Sequence, residues 1–204
     1  MRAAPVGLLL AHDRELMART AHDQGRITHT DPRCSAGAIA IAGATAIVVT
    51  EGRIAAGPLC AALAELTRPF DPVLAQALGR LPRWVEEPPD RAVARIAPIG
   101  MQSFSGGQWS GVSPFVTPSV LWSLYSVLRS PADYWETICT AIQVGGDVDT
   151  TAAMAGAISG ATIGLAGIPP EAARLVSDRG SHGFEALVEL AGKLHHLHRR
   201  LRGL

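Results

Sequence analysis

Aromatic residues make up only 5% of this 204-residue chain, and Lys plus Arg (18) match Asp plus Glu (18), so the formal net charge is zero. A neutral chain has no global field to attract nucleic acid or an anionic membrane, and neither is expected as a partner. Cysteine is scarce: Cys34, Cys60 and Cys139 are odd in number, widely spaced and in no C-x-x-C pair. That excludes a disulfide framework and a Cys-based zinc site, and points to reduced, buried thiols in a cytoplasmic protein. The apolar run 6–11 after Arg2 is not expected to be a secretory leader, since it is short and meets His12-Asp13-Arg14-Glu15 without a convincing cleavage site. Strand-like alternation is absent. Two uncharged segments, residues 34–50 and 150–170, raise the membrane question, and both are rich in Ala, Gly, Ser and Thr. Their length is about that of a bilayer span, but so weak a hydrophobicity fits the central helices of a soluble bundle better.

Nearly half the residues are apolar (48%), with Ala and Gly carrying much of the apolar surface, a profile for closely packed helices. Length and composition suit one helical domain over residues 1–204. Helix starts are predicted where a capping side chain precedes proline: Asp31-Pro32, Asp71-Pro72, Thr117-Pro118 and Ser130-Pro131. Apolar stripes at helical spacing run through Ile39, Gly43, Ala46 and Ile47, through Leu121, Leu124, Tyr125 and Leu128, and through Leu187, Leu190, Leu194 and Leu197. The last belongs to a basic, His-rich tail read as a solvated terminal helix. Trp84, Trp122 and Trp135 read as core or interface packing. The fold class is all-α. Pro and Gly accumulate at about 81–119, which predicts a long irregular segment. It is either a linker or a loop over a cleft, and the loop is favoured because neither half looks sufficient alone. Trp109 and Phe115 within it are candidates to stack on a planar ligand.

The most informative stretch is Gly145-Gly146-Asp147-Val148-Asp149-Thr150, opening onto a nearly uncharged helix that carries Gly156, Gly160 and Gly164. Asp147, Asp149 and Thr150 are compact hard-oxygen donors of the kind Mg²⁺ or Mn²⁺ prefers. Gly145 and Gly146 let backbone approach a ligand. Simple helix capping by one aspartate is the plainer alternative. An EF-hand is excluded, because Ile158 stands where the bidentate carboxylate belongs. The run 147–151 also fits the D-x-D-x-T motif of haloacid dehalogenase-like phosphatases, but the βα alternation that would place it is missing.

Gly145 to Ala161 is similar to the C-terminal signature of the ADP-ribosylglycohydrolase family, the dinitrogenase-reductase-activating glycohydrolases and their relatives. The stretches 1–8 and 28–32, with Leu121-Trp122, resemble further family positions in the right order. The resemblance implies an all-α hydrolase with two divalent metals, Mg²⁺ or Mn²⁺, acting on ADP-ribose linked to a protein side chain or a related small molecule. It implies Asp147, Asp149 and Thr150 as metal ligands and His29 in the ADP-ribose pocket, beside Gly145 and Gly146, with the 106–115 loop near the adenosine or distal ribose. It assigns no catalytic residue. The family's G-D-x-x-G and T-D-D-T segments, which supply the remaining ligands, have no counterpart. The expectation is therefore an N-terminally truncated domain with a partial metal site, weak or inactive alone. The alternatives are a non-catalytic ADP-ribose-binding module and a subunit completed by an N-terminal fragment or by self-association.

Overall fold

Capping chemistry decides where several helices begin. In the computed structural model, which describes residues 1–101 and 109–203, Asp31 opens α3 (Pro32–Glu51), its carboxylate accepting from Arg33 N at 2.9 Å. Asp71 opens α5 (Pro72–Trp84), accepting from Val73 N and Leu74 N and, at 3.3 Å, from the Thr117 hydroxyl. Each proline takes an early helical position where its missing N–H costs nothing. The other two starts differ from expectation. α7 (Val116–Arg129) begins one residue before Thr117, so Pro118 sits third in the first turn, where backbone donors still lack intrahelical acceptors. Ser130 ends α7 instead of opening the next helix; α8 (Tyr134–Ile142) is capped by Asp133, which accepts from Glu136 N at 2.9 Å.

The remaining helices are α1 (Ala4–Leu9), α2 (Arg14–Arg26), α4 (Ala56–Thr67), α6 (Pro89–Ile96), α9 (Val148–Ile163), α10 (Pro170–Arg174) and α11 (Phe184–Leu201), with a 3-10 turn at Leu165–Gly167. No strand forms among the described residues; one isolated parallel bridge joins Val112 to Gly146. The fold is all-α.

The predicted irregular stretch at 81–119 is shorter than composition suggested. α5 runs through Pro82 because its buried face, Leu74, Ala75, Ala77, Leu78 and Leu81, is already committed to the core. Pro89 then starts α6. Irregular backbone is left at 97–101 and 109–115, and residues 102–108, including Gly106 and Gly107, lie outside the described part.

α3 is the axis of the bundle, packed by α1, α2, α4, α7 and α9. Its all-round apolar surface is buried on every side, from Ser35 to Val48. Among the described residues it is the one helix long and apolar enough to cross a membrane, and 67% of that window is buried inside the protein. Small residues let backbones close up around it. A side chain on Gly7 would strike the Ala42 carbonyl, and one on Gly37 would strike Val116.

The stripe on α7 is wholly internal. Trp122 stacks on Tyr125 with centroids 4.7 Å apart, and its indole N–H donates to Ala141 O at 3.0 Å. Tyr125 donates to Glu87 O at 2.8 Å, tying the α5–α6 turn to α7. Trp84 packs partly buried against the core, whereas Trp135 lies on the surface, 57% exposed.

Candidate functional site

The acidic turn rests on backbone that glycine alone supplies comfortably. Gly145 and Gly146 follow α8 with φ of +75° and +90°. Val112 N donates to Gly145 O at 3.2 Å, and Asp147 N donates to Val112 O at 2.7 Å. A Cβ on Gly146 would fall on the Val112 backbone, and one on Gly111 (φ +80°) would fall on the carbonyls of Val144 and Gly145. The 109–115 segment and the acidic turn are thus locked together by close backbone contact.

Asp147 occupies the N-cap position of α9 without its side chain capping the helix. Its carboxyl instead meets the Thr150 hydroxyl and the Asp149 carboxyl within hydrogen-bonding reach. Burial, and then the neighbouring Asp149, push Asp147 above the usual carboxylate range. The hydrogen bond with Asp147 holds Asp149 below that range, helped by Thr150 N, which donates to Asp149 Oδ1 at 2.8 Å. Two adjacent carboxyls of unequal proton affinity concentrate negative charge at the turn, which a cation would relieve. No cluster of three or more His, Cys, Asp or Glu side chains forms among the described residues. The three oxygen donors here fit part of the coordination shell of a hard divalent ion, with the rest left to water or ligand.

Beside this turn opens a cavity of about 540 Å³. The N-terminal halves of α3, α7 and α9 line it through Arg33 and Gly37, Val116 and Val120, and Thr150 and Met154. Helix N-termini carry partial positive charge, so their convergence favours an anionic ligand. Arg2 and Arg33 add formal positive charge to the wall, and Asp31, which also lines it, offsets that of Arg33. Arg2 Nη2 donates to the Thr28 hydroxyl at 2.6 Å, and its Nε donates to Gln24 Oε1 at 3.1 Å. Arg33 is paired with Asp31 through bonds of 3.0 and 2.6 Å and lies 4.9 Å from the Phe115 ring centroid.

The sequence-predicted residues divide. Thr150 and His29 both line the cavity; His29 is exposed, with Nδ1 2.8 Å from the Thr28 hydroxyl. Asp147 and Asp149 adjoin Thr150 but are not among the lining residues, so the acidic turn stands at the rim. Gly145 and Gly146 do not line the cavity either; their part is the bridge to Val112. Phe115 reaches the wall, whereas Trp109 is 49% exposed and does not. Arg2, Gln24 and Arg33 had no signal in the sequence, because nothing local marks an arginine as lining a cavity.

Asp31 supplies a test of this wall. The Arg33 guanidinium holds its carboxyl at about 2, against an ordinary 3.8. A carboxyl depressed on folding stabilises the native state above its unfolded value, and that contribution disappears as pH falls through the folded one. Asp31→Asn, which keeps a capping oxygen, is expected to flatten the pH dependence of stability between about 4 and 2. Urea melts of both proteins across that range check it, and identical slopes would rule it out. The effect is small, since both partners are more than a third exposed.

The chain matches the family model for ADP-ribosylglycohydrolase over residues 1–203. It is also 32% identical over 201 residues to an uncharacterised protein of Archaeoglobus fulgidus, an alignment covering 98% of this chain and 58% of the relative. The chain thus spans well under two thirds of that relative's length. With the helical architecture and the glycine-locked acidic turn already in place, the match over nearly the whole chain establishes that this protein belongs to the ADP-ribosylglycohydrolase family.

Proposed function

We propose that this chain forms one wall of a site that binds ADP-ribose and a divalent cation, Mg²⁺ or Mn²⁺, and that alone it hydrolyses ADP-ribosyl linkages weakly. The observation that carries this reading is the cavity itself, where Thr150 of the acidic turn, His29 and Phe115 come together under three helix N-termini. A diphosphate suits that positive end, with Arg2 held at its edge. Phe115, with the Arg33 guanidinium over its ring, brings an aromatic group to the wall for a base or ribose, and His29 brings a ring nitrogen for a hydroxyl.

Asp147, Asp149 and Thr150 would hold the divalent ion, which would supply Lewis acidity for glycosidic cleavage. The chain's own residues do the positioning. Asp149 stays ionised at neutral pH as the charged ligand, while Asp147 holds a proton more readily and accepts from the Thr150 hydroxyl. The substrate is a protein side chain bearing ADP-ribose, or a related small molecule, and the compartment is the cytoplasm. The three free cysteines, Cys34, Cys60 and Cys139, support that compartment.

Calorimetry with ADP-ribose in the presence of Mn²⁺, alongside turnover of ADP-ribosyl-arginine and ADP-ribosyl-serine, tests this. Binding that weakens about tenfold in His29→Ala and Phe115→Ala, with slow turnover, is expected. Fast turnover abolished by Asp149→Asn would overturn the weak-activity claim. Absence of ADP-ribose binding would remove the reading altogether.

A further inference from the structure

The stretch after α9 is built differently from the rest of the molecule. No residue of the 3-10 turn, α10 or α11 is buried. α11 rests mainly on α1, where His198 Nδ1 lies 2.7 Å from Leu9 O and its ring meets His12 edge-on at 5.3 Å. On α11 Leu187 is 44% exposed, Leu190 60%, Leu197 43% and Leu201 52%, with Leu194 half-buried between them. Their spacing of three, four, three and four residues is that of a coiled-coil seam, a stripe suited to cover by another helix.

We propose that this leucine seam pairs with the same seam of a second copy of the chain, running antiparallel. Charge selects both partner and direction. The N-terminal half of α11 carries Glu185 and Glu189, and the C-terminal half carries Arg199 and Arg200, with Arg202 just beyond. Antiparallel pairing lays each acidic half beside a basic half and opposes the two helix dipoles; parallel pairing would stack the arginines on one another. The seam then matches itself about a two-fold axis, Leu187 facing Leu197 and Leu190 facing Leu194 of the other copy, the self-complementary contact of a cyclic dimer. None of these leucines lines the cavity, so the pairing stands apart from the proposed chemistry.

Sedimentation equilibrium of the full chain tests this, with circular dichroism to show that each variant keeps its helix content. The native chain is expected at twice the monomer mass of 21.4 kDa. Leu190→Glu is expected at the monomer mass. A variant with Glu185→Arg and Glu189→Arg, and another with Arg199→Glu and Arg200→Glu, are each expected to lose the dimer alone and recover it when mixed. A native chain that stays monomeric would overturn the proposal, as would a dimer indifferent to Leu190→Glu. Vesicles of anionic lipid form the remaining arm. Flotation of the native chain with them, lost in Leu190→Glu, would assign the seam to a membrane surface and overturn it equally.

Discussion

Gly146→Ala is expected to cost about 3 kcal/mol of unfolding free energy or more, combining backbone strain with an overlap that nothing nearby can relieve. Gly146 has φ of +90°, and its Cα faces the Val112 backbone so closely that a methyl group would overlap the Val112 carbonyl. That carbonyl is fixed, because it accepts from Asp147 N at 2.7 Å and its residue is 1% exposed in the core. Gly145→Ala is the built-in comparison. Its φ is +75°, but the nearest atom to an added methyl is 4.0 Å away. Only the left-handed conformation then costs, about 1–2 kcal/mol. Urea unfolding of the two variants checks the difference. Equal losses would mean that the bridge to Val112 is not what demands glycine at 146.

Asp149→Asn is expected to weaken Mn²⁺ binding at least about tenfold, because it removes the carboxylate whose ionised form the turn favours. The substitution is mild for the fold. An asparagine oxygen can still accept from Thr150 N, as Asp149 Oδ1 does at 2.8 Å. Its second signature lies in Asp147, whose carboxyl is raised by burial and by Asp149. A carboxyl raised on folding favours the native state at low pH and counts against it as pH climbs from the unfolded to the folded value. With the neighbouring charge gone, Asp147 should titrate lower, and that penalty should shrink. Electron paramagnetic resonance titration with Mn²⁺ reads the first effect, and carboxyl-detected NMR reads the second. Unchanged Mn²⁺ affinity would show that the turn is not where the ion sits.

Local chemistry was readable from the sequence, and long-range contact was not. The Asp31 and Asp71 caps were predictable because a cap needs only a side-chain oxygen and the next few N–H groups. Ser130 misled because Asp133, three residues on, competes for the same helix start. Pro82 misled because burial of Leu78 and Leu81 outweighs one lost hydrogen bond near a helix end. The acidic turn announced its donors, yet the reason for its glycines lies at Val112, more than thirty residues earlier. Arg2 became visible only when α2 and the turn after it laid Gln24 and Thr28 beside it. The leucine stripe of α11 was plain in the sequence; that it faces outward depends on how little of the molecule lies against it.

Val112 joins two parts of the pocket that are distant in the chain. Its backbone is stitched to the acidic turn on one side, and three residues later Phe115 forms part of the cavity wall. Were the proposed ion to settle the turn, the same backbone stitch would settle the aromatic wall, and a nucleotide binding second would lose less freedom. Reciprocity would then require the nucleotide to tighten the ion by the same factor, with no change of shape.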